Sequence, residues 1–176
     1  MIRTLSTRLT RLLGAAALAL GLAAGNASAT DYTFLPPVST SPMYVGFNHL
    51  TPSFLDNIQF TLGALGTIGG SGTPVNLSIG PLSILNLAFT GGTVYSGTIA
   101  SPGSAVGSFV AQPGGAYTFT GSLTPFATYF AQLSGTTSGT AGGSYAFAIA
   151  AIPEPGQWLM LLAGVALLGV MVRRRA

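Results

Sequence analysis

Very few side chains in this sequence could act as acids, bases or nucleophiles. Between residues 30 and 150 the charged residues are Asp31 and Asp56, and the single histidine of the chain is His49. General acid–base catalysis usually needs paired titratable groups in one site. Ser53, His49 and Asp56 could supply a nucleophile, a base and an orienting acid, but serine is so frequent here that some such combination is almost unavoidable.

The remaining motifs also argue against catalysis. The chain has no cysteine, no Gly-x-Ser-x-Gly nucleophile elbow, no phosphate-binding loop and no histidine spacing typical of a metal centre. We therefore expect a protein that is not an enzyme and that uses no metal ion or cofactor.

The positive net charge of the chain, +3, comes from its two ends. Arg3, Arg8 and Arg11 lie near the start, Arg173–Arg175 lie at the end, and the chain contains no lysine. A nucleic-acid surface needs clustered Lys or Arg side chains. Because the middle of the chain has neither, we expect no nucleic-acid partner.

Asp56 is the most unusual residue of the middle segment. In the run SFLDNIQFTLG, a strand would place it on one face with apolar side chains on both sides. Those apolar residues are Phe54, Ile58, Phe60 and Leu62. A buried carboxylate needs compensation, and without Lys or Arg its partners must be backbone N–H groups, hydroxyls or His49. We predict a structural role for Asp56 and a loop or cap position for His49. The alternative is a contact with a ligand or Ca²⁺, for which Asp31 is the other available carboxylate.

The elements that would hold these residues are short strands. Further runs alternate between large apolar and small or polar residues, with the period of two that is typical of half-buried strands. The apolar positions are Val75, Leu77 and Ile79; Leu85, Leu87 and Phe89; Tyr117 and Phe119; and Tyr145, Phe147 and Ile149. Glycine-rich breaks predict turns between the runs. They are Gly69–Gly72, Gly91–Gly92, Ser101–Gly103, Pro113–Gly115 and Ala141–Gly143.

This spacing predicts an all-β domain at residues 30–151, an antiparallel β-sandwich or jelly roll. We expect about eight to ten strands in residues 31–151 and no helix longer than two turns, because no apolar stripe with a period of 3.6 residues is present. The abundance of glycine, serine and threonine leaves disorder as the alternative.

The N-terminus has the features of an export signal. Three arginines precede the apolar run LLGAAALALGLAA, and Ala27 and Ala29 place small side chains where a signal peptidase needs them. We predict a signal peptide at residues 1–29, a cut between Ala29 and Thr30, and the Sec translocon and signal peptidase as partners. An uncleaved membrane anchor is the alternative.

The C-terminus has a different arrangement. Residues 158–172 carry no charge and predict a short transmembrane helix. The basic cluster Arg173, Arg174 and Arg175 follows it, so the positive-inside rule orients the C-terminus to the cytoplasm and the domain outward. Before the helix, two prolines keep the intervening acidic residue in an extended stretch that a protease cleft can bind.

The order of these features resembles the PEP-CTERM sorting signal. Pro153, Glu154 and Pro155 would be the tripeptide, followed by the apolar helix and the arginine cluster, so that the signal occupies residues 152–176. The resemblance implies that an exosortase, a protease of the inner membrane, recognises the tripeptide and processes the tail. It also implies a Gram-negative bacterium that makes exopolysaccharide. An ordinary single-span anchor is the alternative.

A second resemblance lies inside the domain. Phe54, Asp56 and Phe60 are similar to the signature of the FxDxF family of PEP-CTERM proteins, although Ile58 stands at the second Phe. The segment 133–155 is similar to the glycine-rich turn and last strand of that family. The resemblance implies a fold and a location rather than a chemical activity.

Two roles remain for the exported domain. It is either a non-catalytic structural component of the cell surface, extracellular matrix or biofilm, or a carbohydrate-binding module that attaches to exopolysaccharide. The candidate sugar-stacking residues are Tyr44, Phe47, Tyr95 and Tyr129. An aligned row of exposed aromatic rings would favour the binding module, and buried aromatic rings would favour the structural component.

Overall fold

The structure, a computed structural model, describes residues 27–153 and 160–166 and contains thirteen β-strands. The strands are β1 (Ala27–Ser28), β2 (Asp31–Thr33), β3 (Met43–His49), β4 (Ser53–Thr61), β5 (Thr67–Val75), β6 (Leu77–Ile79), β7 (Leu82–Leu85), β8 (Leu87–Gly97), β9 (Pro102–Ser108), β10 (Val110–Ala111), β11 (Tyr117–Ser122), β12 (Thr128–Thr137) and β13 (Gly143–Ala151). Residues 160–166 form a helix, α1. The prediction of an all-β domain is confirmed.

Most strands belong to one of two sheets. The first sheet has the order β1-β4-β12-β8-β9, with β2 also paired to β4, and the second has the order β10-β11-β5-β13-β3. β1 and β2 run parallel to β4, whereas the other neighbours in both sheets are antiparallel. β6 and β7 form a separate hairpin.

The core lies between the two sheets. β3, β5 and β13 belong to the second sheet, whereas β4, β8 and β12 belong to the first, so the chain crosses repeatedly from one sheet to the other. Rings from opposite sheets meet in the interior: the ring centroid of Tyr145 lies 5.6 Å from that of Phe54 and 5.1 Å from that of Phe89. Offset and edge-to-face ring pairs at such distances add to the stabilisation from buried apolar area.

The alternating patterns of three strands are confirmed. The predicted inward residues of β4, from Phe54 to Phe60, and Leu62 directly after the strand are at most 3 % exposed. On β13 the predicted inward residues Tyr145, Phe147 and Ile149 are at most 2 % exposed, and on β8 Leu87 and Phe89 are buried. Leu85, predicted to share the face of Leu87 and Phe89, instead ends β7 and is half-buried. Large side chains at every second position therefore supply most of the core.

Two of the predicted glycine turns are wrong. Residues 69–72 lie inside β5, and residues 91–92 lie inside β8. The reason is steric: a Cβ atom on Gly92 would stand 2.8 Å from Leu133 Cδ2 and 2.9 Å from Phe109 Cβ. A Cβ atom on Gly72 would stand 3.0 Å from the ring of Phe89. These glycines leave room for large side chains of the core, a known use of glycine within strands.

The other glycine-rich breaks are turns. Pro113–Gly115 connects β10 to β11, with both glycines at positive φ, and the break at Ala141–Gly143 leads into β13, with Gly142 at φ +84°. Glycine suits these positions because side chains are strained at positive φ. The turn predicted at Ser101–Gly103 lies slightly earlier, at residues 98–101, which separate β8 from β9.

The strand count and one buried face differ from the predictions. Residues 31–151 contain twelve strands instead of eight to ten, and no helix. Val75, Leu77 and Ile79 are 46–68 % exposed, so the prediction that they form a half-buried face is wrong. They lie at the end of β5 and in the β6–β7 hairpin, which pairs with neither sheet. Alternation in sequence fixes which residues share a face, but not whether another layer covers that face.

The structure describes only part of the predicted signal peptide and of the predicted C-terminal sorting signal. Residues 1–26 of the predicted signal peptide, the tail residues 154–159 and the end of the chain from residue 167 lie outside the described residues. Of the predicted transmembrane segment 158–172, residues 160–166 are described, and they are helical and exposed. Among the described residues, no helix is long and apolar enough to cross a membrane.

Candidate functional site

Asp56 lies at the centre of the one buried charged cluster that the described residues contain. It stands in the middle of β4, between β12 on one side and β1 and β2 on the other, and its side chain is fully buried. Because Phe54 and Ile58 precede and follow it on the same face, the pleat of β4 directs the carboxylate into the core, as the sequence predicted.

Three donors from three other parts of the chain bind the carboxylate. Nε2 of His49 lies 2.7 Å from Oδ2, and the Tyr145 hydroxyl donates to the same oxygen at 2.7 Å. The backbone N–H of Thr30 donates to Oδ1 at 3.1 Å. The predicted partners of Asp56, a backbone N–H, a hydroxyl and His49, are therefore confirmed.

Aromatic rings enclose these polar groups. The His49 ring stacks on Phe54 with centroids 4.3 Å apart and an interplanar angle of 7°, and Tyr145 lies nearly parallel to both rings. Burial of Tyr145, the negative charge of Asp56 and the hydrogen bond to it raise the pKa of the phenol well above its ordinary value. Tyr145 therefore remains a hydroxyl donor across the physiological range.

The position of His49 bears on two predictions, its place in a loop or cap and the serine–histidine–aspartate arrangement. His49 is the last residue of β3 and is 1 % exposed, so its assignment to a loop or cap is wrong. With Nε2 directed at Asp56, its buried Nδ1 has no hydrogen-bond partner among the described residues, Ser53 included. The serine–histidine–aspartate arrangement that could be written from the sequence is therefore not assembled.

Asp31 does not join the cluster. Its Oδ1 accepts a hydrogen bond from Asn57 Nδ2 at 2.8 Å on the exposed side of the sheet, and Asn57 in turn accepts one from Gln132. No group of three or more potential metal ligands occurs in the described part of the chain. The two carboxylates considered for calcium thus have separate partners.

The other two residues of the Phe-x-Asp-x-Phe pattern, Phe54 and Phe60, serve the core. Phe54 is 3 % exposed and lies against His49, whereas Phe60 is 1 % exposed and packs on Tyr129 with ring centroids 6.1 Å apart. The Tyr129 hydroxyl accepts a hydrogen bond from the backbone N–H of Thr124 at 2.9 Å. The side chains of Phe54, Phe60 and Tyr129 therefore all make contacts inside the domain.

The four candidate sugar-stacking residues do not form an aligned row. Phe47 and Tyr129 are buried, and half-buried Tyr95 stacks on Phe130 at 5.1 Å. Only Tyr44 is well exposed, at 68 %. It borders an open cleft of about 510 Å³ together with Tyr32, a residue that sequence reasoning missed because Tyr32 and Tyr44 are separated by a long loop.

The folded domain ends directly before the predicted sorting tripeptide. β13 ends at Ala151, whose N–H donates to the carbonyl of Ser39 at 2.8 Å, and the N–H of Ile152 donates to the carbonyl of Thr67 at 2.8 Å. Pro153 is the next residue. Glu154, Pro155 and Arg173–Arg175 lie outside the described residues.

The predicted signal-peptidase site lies at the opposite end of the domain sequence. Ala29 and Thr30 are exposed, and Ala27 belongs to β1, which pairs with Ser53 and Phe54 of β4. A cut after Ala29 would remove β1 and leave Thr30, with its contact to Asp56, at the start of the mature chain.

Two solved structures resemble this chain, each with a low sequence identity and a low TM-score. The pre-peptidase C-terminal domain of a collagenase from Bacillus anthracis is 10 % identical, with a TM-score of 0.36, and the match covers 70 % of this chain and 94 % of that domain. PliG from Aeromonas hydrophila, a periplasmic inhibitor of g-type lysozyme, is 15 % identical, with a TM-score of 0.35, and the match covers 71 % of this chain and 98 % of PliG. No curated protein matches the sequence.

The comparison with protein families is specific for the tail. The family model of the PEP-CTERM protein-sorting motif matches residues 151–175, beginning at the last residue of β13. This match includes the tripeptide, the apolar segment and the arginine cluster that the sequence analysis singled out. Such a motif implies an exported protein that is anchored transiently at its C-terminus and processed by an exosortase. Residues 151–175 of this chain are therefore a PEP-CTERM protein-sorting motif.

Proposed function

We propose that this protein is a non-catalytic structural component of the bacterial surface or extracellular matrix. An exosortase would release it from the inner membrane by acting on its tail. The observation that carries this proposal is the position of the sorting motif, which begins where the β domain ends.

The junction suits a membrane-embedded protease. Up to residue 153, where the described part of the domain ends, the last backbone N–H that donates a hydrogen bond is that of Ile152, so Pro153 already lies beyond the sheet. From the sequence we expect the two prolines to favour an extended conformation at Glu154, which is the conformation that a protease cleft binds. Cleavage at any point after Pro153 would leave β13 and both of its ladders intact, and the domain would remain folded after release.

The composition of the domain supports a structural role rather than catalysis. Asp56 and His49 are buried and bind each other, and the Tyr145 hydroxyl is held by the same carboxylate. These groups are therefore not available to a substrate from solvent. The exposed residues include many Ser and Thr side chains, whose hydroxyls could hydrogen-bond to polysaccharide chains.

A carbohydrate-binding module is the second candidate, and the cleft beside Tyr44 favours it. Tyr32 and Tyr44 are 36 % and 68 % exposed, and both border this cleft of about 510 Å³. Exposed aromatic rings can stack against the apolar faces of sugars. If this candidate is correct, Tyr44→Ala should abolish retention on exopolysaccharide while leaving the melting temperature unchanged.

The central experiment compares the membrane fraction with the culture medium of the producing bacterium by intact-protein mass spectrometry. We expect a membrane form that carries the whole tail and a released form that ends within or shortly after residues 153–155. Both forms should begin at Thr30. A tail that stays intact in all fractions, with no released form, would contradict sorting by an exosortase.

A further inference from the structure

We infer that the α-amino group of Thr30, created when the signal peptide is removed, forms an ion pair with the buried carboxylate of Asp56. The inference rests on the proposed cut after Ala29. That step consumes one water molecule: the Ala29–Thr30 amide bond breaks, Ala29 gains a carboxylate, and the Thr30 nitrogen becomes an ammonium group at neutral pH.

The Thr30 nitrogen already stands in position for this pair. It lies 3.1 Å from Oδ1 of Asp56, and it reaches this oxygen as a neutral amide while the chain is uncut. The carbonyl of the same residue accepts a hydrogen bond from the Asn57 N–H at 2.9 Å. Thr30 is thus held from both sides, and cleavage changes the charge of the donor without requiring a movement of the backbone.

Within the described residues, the carboxylate has no permanently charged side chain as a partner. No lysine or arginine occurs between residues 12 and 172, so a buried negative charge would otherwise rely on His49 and on neutral donors. His49 and Tyr145 both bind Oδ2, which leaves Oδ1 for the Thr30 nitrogen. A charged donor forms a shorter and roughly twice as strong hydrogen bond to a carboxylate as a neutral donor does.

The other titratable groups around the pair are few. From β2, Asp31 follows Thr30 directly and is bound by Asn57, and Tyr32 is partly exposed. From β12, Tyr129 is bound to Thr124 at a different part of the core. β1 carries no titratable side chain. Asp31 would add to the attraction, and it therefore provides the matched control for Asp56.

The pair would couple processing to folding. In the uncut chain β1 pairs with β4 beside Asp56, and the donor to Oδ1 is neutral. After the cut β1 is lost, and the new ammonium group supplies a charge that the buried carboxylate lacked. Removal of the signal peptide would thus exchange the pairing of β1 with β4 for a charged donor to Asp56.

The absence of lysine makes this pair directly measurable, because the mature chain then has a single primary amine. The exported full-length chain is purified, its start is sequenced, and the amine is methylated with ¹³C-formaldehyde and a reductant. We expect the ¹³C signal to titrate at least one pH unit above the ordinary α-amino range of about 7.7–8.0. Asp56→Asn should return it to that range, whereas Asp31→Asn should change it by less than half as much.

A second measurement covers the case in which Asp56→Asn does not fold. The unmodified amine of the wild-type chain is acetylated at about pH 7.5, once in native buffer and once in urea. After correction for the reagent's activity in urea, acetylation of the folded chain should be at least tenfold slower than that of the unfolded chain. Equal rates, or an ordinary titration range in the native chain, would overturn the ion pair alone. A start other than Thr30 would overturn both the pair and the proposed cut, while sorting of the tail is tested separately by the mass of the C-terminus.

Discussion

Replacement of Asp56 by alanine tests whether its cluster holds the domain together. The substitution removes the acceptor of two fully buried donors, the Tyr145 hydroxyl and His49 Nε2, and of the more peripheral nitrogen of Thr30. Each buried donor left without a partner costs about 1–3 kcal/mol. Removal of a buried charge offsets part of this cost, so we expect a net loss of about 2–4 kcal/mol.

This loss translates into a large change of the melting temperature. At about 2.1 cal/mol/K per residue, a domain of roughly 120 residues unfolds with an entropy near 0.25 kcal/mol/K. The expected loss therefore lowers the melting temperature by about 8–16 °C. The assay is thermal unfolding of the exported chain, followed by circular dichroism, in wild type and variants under the same detergent and salt conditions.

Asp31→Ala is the matched control for this experiment. It removes a carboxylate one residue from Thr30, but its hydrogen bond to Asn57 is exposed, so the free energy of unfolding should change by no more than about 0.5 kcal/mol. A melting temperature of Asp56→Ala within 2 °C of wild type would refute the structural role. An equally stable Asp56→Ala variant that no longer bound exopolysaccharide would instead assign Asp56 to a binding site.

Three further predictions concern the tail, the alkaline range and a core glycine. Alanine at all of residues 153–155 should leave export intact but keep the chain in the membrane with its tail, and release equal to wild type on immunoblots of the medium would contradict recognition of the tripeptide. The raised pKa of Tyr145 keeps its proton bound in the folded state, so stability is complete below about pH 10 and falls above it by up to about 1.4 kcal/mol per pH unit. Tyr145→Phe should abolish this loss, as measured by the free energy of unfolding in urea at pH 9 and at pH 11. An equal change of that free energy between the two pH values in both chains would contradict the prediction. Gly92→Ala should cost about 1–3 kcal/mol because its Cβ would collide with the core, whereas Gly46→Ala, with open space around it, should cost little; equal melting temperatures of the two variants would refute the packing argument.

The sequence was sufficient where the information is local. A strand places alternate residues on opposite faces, and so the run from Phe54 to Leu62 predicted the inward direction of Asp56. Because residues 12–172 contain no Lys or Arg, the partners of its carboxylate were restricted to the classes that the structure contains. The sorting motif at residues 151–175 was equally readable, because its tripeptide, apolar segment and arginine cluster follow one another along the chain.

Only the tertiary structure decided which residues meet. Tyr145 lies 89 positions from Asp56, and Thr30 lies 26 positions away, and no local pattern links them. Gly92 resembled a turn in the sequence, yet the side chains of Phe109 and Leu133 fill the space above it and keep it within a strand. Strand period and turn chemistry act between neighbours along the chain, whereas burial and hydrogen-bond partners depend on which strands the fold brings side by side.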